Sequence, residues 1–282
     1  MILVTGATGT IGGEVVRLLA GRGEPVRAMT RNPAKAALPA GVEVVRGDFD
    51  DPESLTGAAT GVEALFLLDA PGPWVARHDR AMLAAARAAG VRRVVKLSAI
   101  GTGQQAGKVG DWHLPGEQEL RSGDAGWTVL RPSGFASNAL RWAPAIRAGQ
   151  PVPNPTGTGA QGVVDPRDVA EVAVRALLSD AHVGRVLTLT GPELLSVPDL
   201  AERLGEVLGR RVATVDVPLG AYRESMLARG LDPVFVEVAV NGAKLIAEGD
   251  AARLTDDVAQ ALGRPPRTFA AWAYDHRDAF GG

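Results

Sequence analysis

A glycine-rich turn near the start of the chain constrains the fold more than any other feature. The sequence opens MILVTGATGTIGG, in which the apolar run Ile2–Val4 predicts a buried strand. Gly6, Gly9 and Gly12 follow, and residues 11–19 then repeat apolar side chains at helical spacing. Strand, glycine turn and helix in this order are typical of a phosphate site, because bare backbone and the N–H groups of a helix start attract negative charge.

The spacing of these glycines indicates which phosphate ligand to expect. Gly-x-x-Gly-x-x-Gly differs by one residue from the Gly-x-Gly-x-x-Gly fingerprint of dinucleotide sites, and the flanking strand and helix supply the context that this fingerprint requires. The alternative is an ordinary glycine turn between two core elements. The residues predicted to bind the cofactor in this turn are Gly6, Thr8, Gly9, Thr10, Ile11 and Gly12.

Further strands alternate with helices along the first two thirds of the chain. Strands are predicted at 25–30, 42–46, 62–68, 93–98 and 127–130, and the main helices between them at 74–89 and 114–122. This alternation implies right-handed crossovers and a parallel sheet that is covered on both faces. The predicted fold class is α/β, a Rossmann-like doubly wound parallel sheet with a smaller, mostly helical C-terminal lobe.

Two domains follow from this pattern. We predict a dinucleotide-binding domain over residues 1–150, with residues 163–192 returning to its sheet, and a substrate-binding lobe over residues 151–282. The segment 101–111 is rich in Gly and Gln and is predicted to be a mobile loop. Residues 144–162 are rich in Pro, Gly, Thr and Asn, which predicts a loop that crosses between the lobes.

Composition excludes several classes of function. The 30 basic and 32 acidic residues nearly balance, which argues against nucleic-acid and membrane partners. The chain has no cysteine and only 4 histidines, none at metal-ligand spacing, so neither a thiol nor a metal site is expected. No apolar run approaches the roughly 18 residues of a membrane span, and the chain begins directly in a strand. We expect a cytoplasmic monomer or homodimer that acts on a small molecule.

The ends of the strands show where a cofactor would be recognised, because ligands of doubly wound sheets bind outside the carboxyl ends of the strands. The second strand ends Met-Thr-Arg-Asn at residues 29–32, with no acidic residue for the ribose 2′-OH of NAD. Arg31 instead favours the 2′-phosphate of NADP(H), with Lys35 as a second cation. The alternative is that Arg31 is an ordinary solvated surface arginine.

The next three strand ends supply the other predicted cofactor contacts. Asp48, followed by Phe49, is placed to accept a hydrogen bond from the adenine amino group, or else it forms a turn or helix cap. Leu68 and Asp69 end the fourth strand, and Asp69 either binds a ribose or caps the turn. Ser98 ends the fifth strand, beside the expected position of the nicotinamide.

Several segments together resemble the NmrA-like family of atypical short-chain dehydrogenase/reductases, which bind NADP(H). They are TGATGTIG, TRNP, GDFDDPESL, KLSAIG, WHLPGEQELRSGDAGWTVLRPSGFASN and VDPRDVAEVA. The resemblance extends to about Leu178, and the remaining residues resemble the family in layout only. It implies a Rossmann-like domain, a small helical lobe and a substrate cleft between them. The family includes reductases of quinones, azo dyes and triphenylmethanes, and also proteins that bind the dinucleotide to control a partner.

The usual catalytic pair of these dehydrogenases, Tyr-x-x-x-Lys, is missing. Tyr222 and Tyr274 are the only tyrosines, and neither is followed by lysine at that spacing. His113 and Glu117 stand in the corresponding helix, so we predict His113 as a proton donor that Glu117 holds charged. The alternative makes His113 a plain helix-start residue. Ser98 is the second catalytic candidate, unless its hydroxyl is satisfied by backbone at the strand end.

The sequence leaves three functional hypotheses. The first is an NADPH-dependent reductase that transfers hydride to a small aromatic or quinone-like acceptor, with Phe135, Asn138 and Trp142 in the wall of the cleft. Aromatic residues at such positions also serve as core. The second hypothesis is a non-catalytic NADP(H)-sensing regulatory protein, which the missing tyrosine favours. The third is a redox-neutral enzyme that keeps the dinucleotide as a scaffold.

Overall fold

The computed structural model describes residues 1–104 and 111–282. Residues 105–110 of the predicted loop therefore lie outside the described residues. The strands are β1 (Ile2–Val4), β2 (Val26–Thr30), β3 (Glu43–Arg46), β4 (Ala64–Leu67), β5 (Arg93–Leu97), β6 (Gly126–Pro132), β7 (Val152–Asn154), β8 (Ala160–Gly162), β9 (Arg185–Leu189), β10 (Leu194–Ser196) and β11 (Thr214–Asp216).

The α-helices lie between these strands and dominate the C-terminal part of the chain. They are α1 (Thr10–Ala20), α2 (Pro52–Ala59), α3 (Val75–Ala88), α4 (Leu114–Ser122), α5 (Ala143–Arg147), α6 (Pro166–Leu178), α7 (Val197–Leu208), α8 (Leu219–Ala228), α9 (Pro233–Ala247), α10 (Asp257–Leu262) and α11 (Phe269–Asp275). Short 3-10 helices cover Pro33–Lys35, Ala136–Trp142, Asp180–His182 and Arg277–Phe280. In the described ranges, no helix is both long enough and apolar enough to cross a membrane.

One large sheet organises the first part of the molecule. Its seven strands run in the order β3-β2-β1-β4-β5-β6-β9, and the neighbouring pairs from β3 to β6 are parallel. The central strands β1 and β4 are buried along their whole length, as expected for strands covered on both faces. This order is that of a doubly wound sheet with its switch point between β1 and β4. It confirms the predicted α/β, Rossmann-like fold class.

The chain forms two compact units whose boundaries differ from the predicted ones. The first unit comprises residues 1–132 and 169–188, and the second comprises residues 133–168 and 189–282. Residues 133–150 thus group with the second unit, whereas the prediction placed them in the first domain. The physical reason is apolar packing, since Ala136, Ala139, Ala143 and Ile146 are buried in one cluster with Trp272 and Phe280.

The second unit is mostly helical, as predicted, but it contains short strands that the sequence did not indicate. The predicted loop 144–162 contains most of α5 together with β7 and β8. β7 pairs in parallel with β11, and β8 pairs in antiparallel fashion with β10. Residues 163–165 begin the segment that was predicted to return to the large sheet, but their only strand pairing in the described residues is an isolated bridge between Phe135 and Val164. Pro153 lies in β7, where a two-stranded sheet tolerates a residue without an N–H donor.

Candidate cofactor site

The glycine turn follows β1 directly, and two of its glycines are required by the geometry. Gly6 has a φ of 59°, a left-handed conformation that suits glycine. A Cβ on Gly12 would lie 2.2 Å from the backbone oxygen of Gly6, so the first turn of α1 packs against the turn with no side chain between them. A Cβ on Gly6 would approach Leu68 Cγ to 2.9 Å. The spacing of the glycines therefore brings the backbone of β1, α1 and the end of β4 together.

The start of α1 is prepared for an anion. Its first turn contains no acidic residue, and the N-cap Gly9 provides no side-chain acceptor. Thr8, Gly9 and Thr10 are exposed, whereas Ile11 and Gly12 are buried. The first N–H groups of a helix have no partners within the helix and carry partial positive charge. These features fit the pyrophosphate of a dinucleotide.

Thr5 joins β1 to the end of β4 at the switch point. The buried Thr5 hydroxyl donates to the carbonyl oxygen of Leu68 at 2.7 Å. Its Oγ1 also accepts from the backbone N–H of Leu68, with an N–O distance of 2.8 Å. Sequence reasoning did not assign Thr5 a role. The sequence signal for this role was a threonine between an apolar strand and the glycine turn. The hydrogen bonds of Thr5 hold Leu68 beside Gly6.

Two cations lie after β2, where the 2′-phosphate was predicted to bind. Arg31 and Lys35 are exposed, and Lys35 ends the 3-10 helix Pro33–Lys35. Within the described part of the chain, neither side chain forms an ion pair. The end of β2 therefore presents positive charge with no acidic residue at positions 29–32, which is the arrangement that accommodates NADP(H).

The predicted residues after β3 and β4 are held by short-range hydrogen bonds. The Asp48 carboxylate accepts from the N–H of Asp50 at 3.1 Å, and the N–H of Asp48 donates to Ser54 Oγ at 2.9 Å. Asp69 Oδ1 accepts from the N–H of Ala70 at 2.7 Å. Both aspartates are thus held in turns, and each of these backbone hydrogen bonds occupies only one of the two carboxylate oxygens.

His78, on α3, connects these two turns and was missed by sequence reasoning. Its ring is nearly buried, with Nδ1 2.6 Å from Asp69 Oδ2 and Nε2 3.1 Å from Asp50 Oδ1. Phe49 stacks on the ring with the centroids 5.1 Å apart and the planes 8° from parallel. The hydrogen bond with His78 is the main reason that the pKa of Asp50 is lowered, and the charge of Arg77 adds to it. No local signal distinguishes His78 within the helical segment.

Ser98, at the end of β5, donates its hydroxyl proton to a buried carboxylate. Its Oγ lies 2.6 Å from Glu117 Oε1 and 3.2 Å from the hydroxyl of Thr102. Glu117 is fully buried and accepts from Arg131 at 2.9 and 2.6 Å and from Arg121 at 2.6 Å. Two guanidinium groups therefore neutralise this carboxylate, and the Ser98 hydroxyl completes its set of hydrogen bonds.

The prediction that Glu117 holds His113 charged is wrong. The Glu117 carboxylate oxygens accept hydrogen bonds from Ser98 and the two arginines. His113 Nδ1 is buried with no hydrogen-bond partner in the described ranges. Burial, and secondarily the charge of Lys96, lower the pKa of His113 to about 3. The imidazole is therefore neutral near pH 7, so any proton that it donates comes from a neutral ring N–H. The position of His113 at the N-cap of α4 agrees with the sequence.

A buried ion pair lies behind this helix start and was also missed. Lys96 Nζ on β5 is 2.6 Å from Asp79 Oδ2 on α3, and both side chains are only 1% exposed. Burial raises the pKa of Asp79, although Lys96 opposes this shift. A Cβ on Gly116 would lie 2.0 Å from the same carboxylate oxygen, so the backbone of α4 packs directly on Asp79. The only sequence signal was a lysine within the otherwise apolar end of a strand.

The three predicted substrate residues lie in the second unit. Asn138 is exposed, and its Oδ1 accepts from Arg141 at 2.7 Å. Trp142 packs against the apolar core of this unit. Phe135 precedes the 3-10 helix Ala136–Trp142 and is half-buried. Their role in binding a substrate stays a prediction.

Comparison with known proteins agrees with the geometry of this site. Residues 6–180 match a family model described as NAD(P)H-binding. A (4-alkanoyl-5-oxo-2,5-dihydrofuran-3-yl)methyl phosphate reductase from Streptomyces griseus is 38% identical over 99% of this chain and 99% of that protein. An NAD(P)H azoreductase from Xenophilus azovorans is 36% identical over 100% of this chain and 99% of that protein. Similarity thus continues well beyond Leu178, where the sequence patterns indicated only a shared layout.

A solved structure shows the same fold. NADPH-dependent quinone oxidoreductase QOR2 from Escherichia coli, complexed with NADPH, superposes with a TM-score of 0.87 and 27% identity, covering 99% of this chain and 100% of that chain. The glycine turn, the acid-free start of α1 and the doubly wound sheet are the features that such a dinucleotide requires. The chain therefore belongs to the NAD(P)H-binding family, as an oxidoreductase similar to the atypical short-chain dehydrogenase/reductases.

Proposed function

We propose that the protein is an NADPH-dependent reductase that transfers hydride to a small aromatic or quinone-like acceptor. The observation that carries the choice of cofactor is the exposed Arg31 just after β2, which forms no ion pair within the described residues. β2 pairs with β1, the strand that leads to the acid-free start of α1. The acceptor class is supported by relatives named as an azoreductase and a quinone oxidoreductase.

The residues of the first unit divide the binding of the cofactor among them. The glycine turn and the start of α1 would hold the pyrophosphate. Arg31 and Lys35 would hold the 2′-phosphate, Asp48 would accept from the adenine amino group, and Asp69 would hydrogen-bond a ribose. Ser98 would face the nicotinamide end. NADPH, when bound, supplies the hydride.

The protein offers little acid catalysis, which favours a conjugated acceptor. The chain lacks the Tyr-x-x-x-Lys pair, Ser98 gives its proton to Glu117, and His113 is neutral at physiological pH. A quinone-like acceptor tolerates this, because its reduced oxygen is stabilised by conjugation and takes a proton from water or from the ring N–H of His113. A simple ketone has no such stabilisation and would need a stronger donor.

A panel of acceptors tests this proposal. NADPH absorbance is followed with quinones, azo dyes and simple aromatic ketones, with a no-enzyme control for each compound. We expect oxidation with quinones or azo dyes and little with the ketones. If the protein binds NADPH tightly but none of the acceptors supports NADPH oxidation above the control, the non-catalytic NADP(H)-sensing function would replace this proposal.

We propose a cytoplasmic monomer or homodimer whose partner is a small molecule and not a nucleic acid or membrane. The near balance of 30 basic and 32 acidic residues supports this choice of partner. Light scattering coupled to gel filtration measures the assembly, and a trimer or larger particle would contradict it.

A further inference from the structure

His78 occupies an unusual position for a nearly buried histidine, because a carboxylate faces each of its two nitrogens. Asp69 approaches Nδ1 to 2.6 Å, and Asp50 approaches Nε2 to 3.1 Å. The Asp69 side chain is itself 11% exposed, so little water competes for this contact. A neutral imidazole has only one N–H, and only the imidazolium can donate to both carboxylates.

The two carboxylates belong to the turns after β3 and β4, at which we place the adenine and a ribose of the cofactor. Asp50 and Phe49 follow Asp48 after β3, and Asp69 follows Leu68 after β4. β2 and β1 separate these two strands in the sheet, so no ladder hydrogen bonds connect their ends. His78 connects them through its two nitrogens, while its ring stacks on Phe49.

We propose that His78 is a positioning residue for the adenosine half of the cofactor: as an imidazolium it ties the turn after β3 to the turn after β4. This inference rests on the proposed function only in requiring that a dinucleotide binds. His78 itself would touch no reacting atom. It acts through Phe49 and Asp69, whose places it fixes.

The charges around the ring support the protonated state. Asp50 and Asp69 contribute two negative charges in contact with the ring, and the charge of the more distant Asp79 is neutralised by Lys96. Arg77 is the one cation that the structure places in direct contact with the ring in the described part of the chain; it pairs with Asp50, and its Nη2 lies 3.3 Å from His78 Nε2. The competing arrangement is a neutral ring whose Nε2 accepts from Arg77. The shorter contact with Asp50 and the excess of carboxylates favour the imidazolium.

The protonation state can be observed directly. The chain has 4 histidines, so side-chain nitrogen NMR at neutral pH gives few signals, and the spectrum of a His78→Gln variant assigns those of His78. We expect both ring nitrogens of His78 to carry protons. An unprotonated Nε2 would overturn the proposal, because the ring could then no longer donate to Asp50.

The positioning role is tested by direct binding of NADH, which lacks a titrating 2′-phosphate. Loss of one hydrogen bond to a charged group predicts that the Kd rises about tenfold in His78→Gln. Asp50→Asn should also raise the Kd, and because Asp50 is exposed this variant keeps the fold if His78→Gln does not. Asp124→Asn, an exposed carboxylate just before β6, is the matched control and should bind as the wild type does.

The pH profile separates positioning from general stability. Raising the pH until the NMR signals show that the His78 ring has lost one proton should raise the wild-type Kd for NADH, whereas the Kd of His78→Gln should stay flat over the same interval. Parallel profiles, or Asp50→Asn binding as tightly as the wild type, would refute the role of His78. A wild type that binds neither NADPH nor NADH would instead refute the proposed function, so the two failures are distinguishable.

Discussion

Ser98 and Glu117 share a hydrogen bond of 2.6 Å in which the serine is the donor, and both side chains are buried. A hydroxyl has one proton and can still accept through its oxygen. Ser98 can therefore accept a further hydrogen bond, whereas its one proton is already donated to Glu117. At the nicotinamide end, where we propose that Ser98 lies, it would act as an acceptor and not as a proton donor.

The charge of Glu117 should matter to stability. Glu117→Gln leaves Arg131 and Arg121 without their carboxylate, and breaking a buried ion pair costs about 3–5 kcal/mol. Urea unfolding measures the loss. Glu119→Gln is the control on the same helix, because its pair with Arg87 is near the surface and should contribute at most about 1 kcal/mol. Equal losses in the two variants would contradict the buried network.

The close approach of Gly12 to Gly6 should make the first turn of α1 intolerant of a side chain. Gly12→Ala places a Cβ 2.2 Å from a backbone oxygen, and such overpacking costs about 1–3 kcal/mol and displaces the N–H groups of the turn. Gly57→Ala in α2 is the control, since its Cβ would meet nothing within 4 Å. We expect that variant to gain up to about 1 kcal/mol in urea unfolding. NADPH binding should be weakened only by Gly12→Ala.

Arg31 should determine the preference for NADPH over NADH. Removal of its charge-assisted contact in Arg31→Ala should raise the Kd for NADPH roughly 10- to 100-fold and leave the Kd for NADH unchanged. Fluorescence titration of both dinucleotides measures this ratio. Arg22→Ala, an exposed arginine just after α1, is the matched control. Equal affinity of the wild type for the two cofactors would remove the assignment of the 2′-phosphate to Arg31.

The neutral state of His113 makes a prediction for stability at acid pH. Its pKa falls from 6.5 to about 3 on folding, so between these values the folded protein binds fewer protons than the unfolded chain. The free energy of unfolding should consequently rise with pH through this window, by up to about 1.4 kcal/mol per pH unit. This contribution of His113 is lost as pH falls. His113→Gln should reduce that slope in urea unfolding followed against pH. An unchanged slope would show that the ring is not buried in its neutral form.

The sequence by itself determined the fold class and the type of cofactor site. Three glycines at fixed spacing after an apolar strand predicted a turn into a helix, and the structure gives the steric reason, since a Cβ on Gly12 would lie 2.2 Å from the backbone oxygen of Gly6. Alternation of strands and helices then predicted a doubly wound sheet, which the strand order confirms. These inferences succeed because they rest on periodicity and sterics between near neighbours in sequence.

Tertiary structure decided which partner each buried charge would take. Glu117 lies one helical turn from His113, yet it pairs with Arg131, 14 residues away on β6. His78 meets Asp50 from 28 residues away, and Lys96 meets Asp79 inside the packed first unit. Ion pairing and desolvation depend on distance and burial in space, which separation along the chain does not fix. The glycine turn could therefore be predicted from the sequence, whereas the charge state of the groups around it could not.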